Sequence, residues 1–549
     1  MQNYIIRTED FKDELIEKYF VETKNDREII ENLKSEHQML LIGSRGVGKT
    51  MLLKKAEIEL NKEYPEKKFL PVFMSFVKGI LVNNSLNENY FRYWMLSKIL
   101  NQFRNSLLFK EIITPANNPF EMLFNKNNTS NNSLDKLIEV LEESWHKKNE
   151  LSQEQIIEIL NIDEKNFKFI DETDAIKNLI EQFCKNYSIQ KVILLFDEAC
   201  HNFIPEQQRI FFSMIRDLRS PYICCKAAVY PGITYYGTLQ KFHDILVKKV
   251  ERNISDKDYI NNMRDIVEKQ STETVFKSFS NRGKELDALI ICSSGNPRLL
   301  LKSLEVASQN FKGLKTADVN KTITEFYRAN IWEEHSKLAN TYKGHKELIE
   351  WSRNFLENDV IPETLRKNIE RKPQQSAFFA IQRESSERVK NAIRILEYTG
   401  IIQLHTESTK VKTNIYDRYQ INLGVIIASD QTNLSVDRCA ELFNNLSIKL
   451  YTEFGQNSPS FTSLLTNPLI SESLDVSNIA IESILNTSID FLDITPKQKI
   501  YIKEIGIFKI KDILEKTSVE LMKARQIGPR RSSSIYECAY NAAIEYISG

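Results

Sequence analysis

The chain has 549 residues, of which 42% are hydrophobic and 27% charged, and its 74 Lys and Arg balance 74 Asp and Glu, so the formal net charge is zero. This length is too great for one core, so we expect two to four domains, and neutrality excludes a global basic field directed at nucleic acid. We predict a cytoplasmic protein that is neither secreted nor associated with a membrane. The seven cysteines are scattered, the N-terminal stretch is charged, and no long apolar run occurs.

The first motif in chain order is LLIGSRGVGKT, residues 40–50. It fits the pattern G-x-x-x-x-G-K-[ST], with an apolar strand before it and an amphipathic helix after it. Glycines let backbone amides face phosphate oxygens, a lysine adds charge near the β- and γ-phosphates, and a hydroxyl binds Mg²⁺. The motif predicts a site for ATP and Mg²⁺ rather than an accidental glycine-rich turn. Its predicted ligand-binding residues are Gly43, Ser44, Arg45, Gly46, Val47, Gly48, Lys49, Thr50 and Met51, with Lys49 also catalytic and Thr50 on the metal.

An insertion is predicted after a second strand at 67–76 and a helix at Glu88–Phe109. Residues 114–133 are rich in Asn and poor in apolar side chains, which indicates a loop. Helical patterns between 134 and 161 follow, and a helix at 174–187 returns the chain to the core.

Two acids end the next strand pattern, KVILLFDEA, residues 191–199. We expect Asp197 to hold Mg²⁺ through water and Glu198 to polarise the attacking water as a general base. The alternative is a buried strand that ends by chance in two exposed acids. With the phosphate loop upstream, the pair favours hydrolysis over passive binding.

A turn at ICSSGNPRLLLKSL, residues 291–304, contains Gly295, Asn296 and Pro297 and places Arg298 at a helix start. It resembles the second-sensor motif of AAA+ ATPases, in which an arginine of the lid domain reaches the γ-phosphate. That resemblance implies a catalytic role for Arg298. The alternative is an ordinary helix N-terminus with a surface arginine.

The segments FVETKNDREIIENL, GSRGVGKT, LLFDEA, AAVYPGIT and SSGNPR together resemble, in order and spacing, the bacterial form of the origin-recognition-complex-like branch of AAA+ and STAND ATPases. The resemblance implies an α/β P-loop core, with a parallel sheet between helices, and a helical lid. It also implies ATP hydrolysis and a homo-oligomer formed through the ATPase domain.

Two further strands are predicted at 223–230 and 245–254, and near them the family pattern is less clear. Tyr230 and Thr234 are alternatives for the first-sensor residue. Arg219 and Arg252 are alternatives for an arginine finger that acts in trans, and the sequence does not choose between them.

A winged helix is predicted next, from the helical patterns KELIEWSRNFLEN and SSERVKNAIRILEYTGII and the strand patterns IIQLHTE and DRYQINLGVII. Its place after the lid also resembles origin-recognition-type ATPases. Basic residues on the second helix and in the wing could contact DNA phosphates. The alternative is a module that contacts protein. These basic residues are Arg388, Lys390, Arg394, Lys410 and Lys412.

The last 60 residues contain two glycine turns between helical patterns, at Ile505-Gly506 and at Ile527-Gly528-Pro529. They resemble helix-hairpin-helix folds, including the C-terminal domain of the RNA polymerase α subunit. Such a hairpin offers backbone amides to a DNA phosphate, and protein docking is the alternative use. The predicted DNA contacts are Lys523, Arg525, Gly528, Arg530 and Arg531.

The predicted organisation is a P-loop core at 1–255 with a helical insertion at about 111–170, a lid at 256–340, a winged helix at 345–428, a connector at 430–488 and an all-α helix-hairpin-helix domain at 489–549. One hypothesis is an ATP-driven, DNA-associated switch or motor, for which the resemblance suggests a phage-defence or mobile-element system. The other is a STAND-like signalling switch whose C-terminal modules bind protein. A signalling role requires a partner effector protein, encoded nearby, because no effector active site is recognisable.

Overall fold

The computed structural model describes residues 13–76, 88–114, 119–120, 133–147, 151–160, 164–198, 205–234, 236, 239, 244–309, 313–411, 413–430, 436–466 and 484–548. The chain divides into two compact units. The first is Met1–Asn281 with Gly295–Glu305 and Asn310–Lys312, and the second is Arg282–Ser294 with Val306–Gln309 and Gly313–Gly549. Most of the loop predicted at 114–133 lies outside the described residues. None of the described helices is both long enough and apolar enough to cross a membrane.

The first unit contains a five-stranded sheet in the order β2-β3-β4-β1-β5, in which all neighbouring strands are parallel. The predicted strands are confirmed, although the last is shorter than the span 245–254. Because β3, β4 and β1 are neighbours, the loops that follow them meet at one edge of the sheet. The strands are β1 Met39–Ile42, β2 Phe69–Ser75, β3 Lys191–Asp197, β4 Ile223–Val229 and β5 Leu246–Lys249.

Helices cover both faces of this sheet, which explains why its central strands are apolar without alternation. Along β1, Met39 and Leu41 join one hydrophobic cluster while Leu40 joins the other. The helices of this unit are α1 Asp13–Tyr19, α2 Lys24–Lys34, α3 Lys49–Lys67, α4 Glu88–Phe109, α5 Ser133–Lys147, α6 Gln153–Leu160, α7 Lys168–Asp171, α8 Thr173–Asn186, α9 Pro205–Leu218, α10 Tyr259–Gln270 and α11 Glu273–Ser280. The chain then passes through α12, Gly283–Ser293, in the second unit, and returns with the start of α13, Pro297–Ala307.

The helices predicted between 134 and 161 are present as α5 and α6, and they pack into the core of the first unit. Leu137 and Leu141 of α5 are fully buried in the same cluster as Trp94 of α4. The insertion is therefore part of the core packing on one face of the sheet.

The second unit contains a four-stranded sheet in the order β7-β8-β6-β9. Strand β8 pairs antiparallel with β7 and β6, and β9 pairs parallel with β6. Its elements after α12 are α14 Thr316–Glu325, α15 Ile331–Thr341, α16 Lys346–Phe355, α17 Ile361–Glu370, β6 Phe378–Gln382, α18 Glu387–Thr399, β7 Ile402–Val411, β8 Asn414–Ile421, α19 Leu423–Ser429, α20 Val436–Asn444, β9 Thr452–Phe454, α21 Thr462–Thr466, α22 Pro496–Glu504, α23 Ile510–Leu514, α24 Ser518–Leu521 and α25 Pro529–Ser548.

One predicted strand is wrong in its second half, because the pattern DRYQINLGVII continues β8 only as far as Ile421. The side chain of Asn422 then accepts a hydrogen bond from the backbone N–H of Val425, at 3.2 Å, and so caps α19. The backbone N–H of Leu423 donates to the Ser294 hydroxyl at 2.7 Å. Strands β6 and β9 were not predicted, and β9 gives the connector a part in the sheet.

The C-terminal helices α22 to α25 surround a hydrophobic cluster of their own, which includes Ile502, Ile513, Leu521 and Ile535. The two predicted glycine turns lie between these helices. Gly506 has a φ of 83°, in the left-handed region that favours glycine.

Candidate nucleotide-binding site

The loop between β1 and α3 is shaped by its glycines. Gly46 and Gly48 have φ values of 88° and 104°, which residues other than glycine rarely adopt. A Cβ added at Gly46 would lie 2.8 Å from the Asn296 side-chain oxygen and 2.8 Å from the Arg298 Cβ. The loop therefore needs glycine both for its backbone conformation and for close contact with the start of α13.

Lys49 is the first residue of α3 and is buried. Its Nζ donates hydrogen bonds to the carbonyl oxygens of Gly43 and Ser44, at 2.7 and 3.1 Å, and lies 4.0 Å from the centroid of the Tyr230 ring. Burial lowers the pKa of Lys49 to about 7, although Asp197 and Glu198 favour its charged form. A bound phosphate would favour the same form.

The two predicted acids lie at the end of β3. Asp197 is buried, while Glu198 is half-buried with a φ of 53°, a left-handed conformation that is costly for a side-chain-bearing residue. The Tyr230 hydroxyl donates to Glu198 Oε1 at 3.5 Å, and the Thr234 hydroxyl donates to the Tyr230 carbonyl oxygen at 2.6 Å. Of the two first-sensor candidates, Tyr230 therefore faces the site and Thr234 supports it.

The turn before α13 contacts the phosphate loop directly. Asn296 Nδ2 donates to the Arg45 carbonyl oxygen at 2.9 Å, while its Oδ1 accepts from the backbone N–H groups of Arg298 and Leu299. Arg298 Nε is buried, and the described residues offer it no hydrogen-bond partner. Lys49, Glu198 and Arg298 line the same cavity, so three predicted catalytic residues are brought together.

Arg252 also lines this cavity. Its NH1 donates to the Val47 carbonyl oxygen at 2.8 Å, and its NH2 lies 3.7 Å from the Asp26 carboxylate. A guanidinium held against its own phosphate loop does not fit an arginine finger that acts in trans. The candidate role of Arg252 as that finger is therefore corrected, and its contact is with its own loop. Arg219 is exposed and stays the other candidate.

The sequence analysis did not predict the residues that form the remaining wall of the cavity. It consists mainly of aromatic and aliphatic side chains that suit a nucleobase, and they come from the end of α1, the next residues, α10 and α13. They include Tyr19, Phe20, Val21, Ile266, Gln270 and Leu301. Two segments recognised in the sequence contain some of them, since FVETKNDREIIENL begins with Phe20 and Val21 and ICSSGNPRLLLKSL contains Leu301.

The described residues contain no group of three or more His, Cys, Asp or Glu side chains placed to hold a metal ion. A magnesium ion of a P-loop site takes ligands from phosphates and waters, and needs from the protein mainly one hydroxyl and one nearby acid. Thr50 lines the cavity, and Asp197 ends β3, which is separated from β1 by β4 alone. These two residues fit that requirement.

All five predicted DNA contacts near the second glycine turn are exposed: Lys523, Arg525, Gly528, Arg530 and Arg531. The Arg531 guanidinium donates to the Gln526 carbonyl oxygen at 2.7 Å, which holds it beside the turn. The structure thus places the cluster on the surface at the N-terminus of α25.

The basic residues predicted on the winged helix are placed differently. Arg388 is only 5% exposed, so the expectation that it grips a phosphate is wrong for this conformation. The Nζ of Lys390 lies 2.7 Å from one carboxylate oxygen of Glu387, and Arg394 NH1 lies 3.4 Å from the other. Lys410 is exposed, and Lys412 lies outside the described residues.

Comparison with known proteins gives one family match. Residues 5–243 match the family model ORC-CDC6-like, while no curated protein matches the chain. Solved structures that align with the chain include the Aeropyrum pernix ORC1 protein in complex with DNA (13% identity, 78% of this chain, 98% of that chain, TM-score 0.31). The Aeropyrum pernix ORC2 protein (11%, 78%, 96%, 0.33) and Drosophila ORC bound to DNA (10%, 80%, 94%, 0.29) also align.

The family match covers the phosphate loop, the two acids and the strand that leads to Tyr230. It agrees with the parallel sheet and with the geometry of the cavity, and we conclude that residues 5–243 are similar to the ORC-CDC6-like family.

Proposed function

We propose that the chain binds ATP with Mg²⁺, hydrolyses it, and uses the nucleotide state to control its association with DNA. The observation that carries the proposal is the convergence of Lys49, Glu198 and Arg298 on one cavity. Their roles would be to bind phosphate, to polarise water and to reach the terminal phosphate.

Each role follows from the chemistry of the side chain. Lys49 would leave the carbonyl oxygens of Gly43 and Ser44 to meet the phosphates, and Thr50 and Asp197 would hold Mg²⁺. The metal ion would neutralise charge that develops on the phosphates. Glu198 would accept a hydrogen bond from the attacking water, which makes that oxygen a better nucleophile. Arg298 lies at the start of α13, so its contact with phosphate would fix that helix against the loop.

The test is a set of single substitutions with separate readouts of binding and hydrolysis. Lys49→Ala should abolish nucleotide binding. Glu198→Gln should retain binding and lose about 100-fold or more in hydrolysis, whereas Arg298→Ala should lose hydrolysis with little change in folding stability. Wild-type hydrolysis by Glu198→Gln would show that Glu198 is not the base.

The DNA part of the proposal is supported by the exposed basic cluster around Gly528. Hairpin amides and the four basic side chains would contact the sugar-phosphate backbone, so affinity should be indifferent to base sequence and sensitive to salt. A homo-oligomer formed through the ATPase domain is part of the same proposal, with Arg219 as the candidate that would reach a neighbouring site.

The second candidate is a signalling switch whose C-terminal modules bind protein. The burial of Arg388 favours it, because a buried guanidinium cannot reach a DNA phosphate. Nucleotide-dependent assembly without any duplex binding at low salt would support this candidate, and an effector protein would then be needed as a partner.

A further inference from the structure

The cavity beside the phosphate loop has a strong excess of positive charge. Among the described residues that line it, Arg45, Lys49, Arg252 and Arg298 are cationic and Glu198 alone is acidic. Lys49 and Arg252 donate to carbonyl oxygens of the phosphate loop, and Arg298 is proposed to reach the terminal phosphate. The side chain of Arg45 has no role so far, because a loop that binds phosphate through its amides needs no cation at this position.

The backbone of Arg45 is fixed against the turn that carries Arg298. The Arg45 carbonyl oxygen accepts the hydrogen bond from Asn296 Nδ2, at 2.9 Å. The next residue, Gly46, lies so close to Arg298 that an added Cβ would be 2.8 Å from the Arg298 Cβ. The two arginines therefore enter the cavity from adjoining backbone segments.

The side chain of Arg45 is exposed, and its charge acts on the Lys49 ammonium. Burial is the main cause that lowers the pKa of Lys49 to about 7, and the charges of Arg298 and Arg45 lower it further. Because the interaction between two charges weakens with distance, both guanidinium groups lie near the end of Lys49. That end is where the phosphate loop would hold the phosphates of a nucleotide.

Hydrolysis of ATP creates charge that an arginine in this position can stabilise. The water oxygen forms a bond to the γ-phosphorus and its proton passes to Glu198. The bond from the γ-phosphorus to the oxygen shared with the β-phosphate breaks, and ADP leaves with that electron pair. An arginine that donates to these oxygens stabilises the transition state, and it can belong to the same chain or to a neighbouring one.

We propose that the Arg45 guanidinium supplies this charge within its own chain, beside the contact of Arg298, so that hydrolysis needs no arginine from a neighbouring subunit. This rests on the ATPase part of the proposed function and gives Arg45 a catalytic role beyond binding. The other candidate, Arg219, precedes the N-terminal end of β4. The phosphate loop lies at the opposite end of β4, where the Gly43 N–H donates to the Val229 carbonyl oxygen at 3.3 Å. The seven residues of β4 separate the two ends by about 20 Å, so Arg219 does not reach its own site.

The test compares Arg45→Ala with Arg216→Ala in the full-length chain. Both substitutions remove one exposed arginine from the first unit, but Arg216 lies near the end of α9 and pairs with Asp217, at 2.9 Å. Hydrolysis is measured at saturating ATP, and binding is measured with ADP, which lacks the terminal phosphate. Arg45→Ala should lower kcat by about 1000-fold, as loss of an arginine finger does, and leave ADP affinity nearly unchanged. Arg216→Ala should stay within about twofold of wild type in both measurements.

Two further measurements separate a catalytic role from a structural one. Guanidinium ion, at concentrations too low to unfold the protein, should restore part of the lost rate to Arg45→Ala and none to Lys49→Ala. A mixture of Arg45→Ala with Glu198→Gln should hydrolyse ATP no faster than the sum of the two separate proteins. That result is expected because each arginine would serve only the site of its own chain.

The outcomes that contradict the inference are distinct from failure of the ATPase proposal. Hydrolysis by Arg45→Ala within about twofold of wild type, with Glu198→Gln inactive, would overturn the inference and leave the proposed ATPase intact. Recovery of activity in the mixture would also overturn it, because Arg45 of one chain would then serve the site of another. A wild-type chain that hydrolyses no ATP would overturn both.

Discussion

Asn296 is the residue whose replacement gives the most direct test of the site geometry. Its side chain makes three hydrogen bonds, two as the acceptor at the N-terminus of α13 and one as the donor to the Arg45 carbonyl oxygen. It is buried. Asn296→Ala removes all three bonds, whereas Asn296→Ser keeps an acceptor for the helix and loses the donor that reaches the loop.

The expected magnitudes follow from these contacts. Loss of a helix cap costs about 1 kcal/mol, and loss of one buried hydrogen bond costs about 1 kcal/mol more. We therefore expect Asn296→Ala to lower the free energy of unfolding of the first unit by about 2 kcal/mol and Asn296→Ser by about 1 kcal/mol. At 2–4 °C for each kcal/mol, the melting temperature should fall by roughly 4–8 °C for Ala and half as much for Ser.

The assay is thermal unfolding without nucleotide, followed by ATP hydrolysis at saturating ATP well below the transition. Both variants should hydrolyse ATP more slowly than wild type by a similar factor, because both release Arg45 from the turn that carries Arg298. The serine variant separates this effect from stability. If Asn296→Ser hydrolyses ATP at the wild-type rate while Asn296→Ala does not, the contact with Arg45 has no role in catalysis and only the helix cap matters.

Three other predictions use different groups of the chain. Burial holds the pKa of Lys49 at about 7 without nucleotide, whereas phosphates favour its charged form. ADP binding at pH 8.5 should therefore take up about one proton, and the affinity for ADP should fall nearly tenfold from pH 7.5 to pH 8.5. Calorimetry in buffers of different ionisation enthalpy measures this proton uptake, and its absence would contradict the prediction. Tyr230→Phe keeps the ring beside Lys49 and loses the hydroxyl near Glu198, so hydrolysis should fall several-fold with nucleotide affinity unchanged. Tyr230→Leu should also weaken nucleotide binding by roughly 2- to 30-fold. Equal behaviour of the two variants would refute the separate roles of the ring and the hydroxyl. Arg530→Ala with Arg531→Ala should weaken duplex binding across unrelated sequences and flatten the salt slope by up to ~2 without loss of ATPase activity, and unchanged slopes would show that this turn does not hold DNA.

The residues of the nucleotide site were predictable at positions where the local backbone or the bound phosphate requires one residue type. Glycines at positive φ, the lysine at a helix start and the acids at a strand end are all set by short segments, so Gly46, Gly48, Lys49 and Glu198 were found from their spacing. The role of Arg252, one of two candidates for the arginine finger, was left open for the opposite reason. Its contact with Val47 joins residues 205 positions apart, and no local pattern records such a contact.

The second unit shows the same limit in its strands. Strand β6 is buried along all five residues, and β9 has only three residues. Short buried strands carry no alternation that separates them from a buried helical segment. The predicted strand extended beyond the end of β8 because the apolar pattern continues into α19. The signal that separates the strand from the helix is one capping side chain, Asn422.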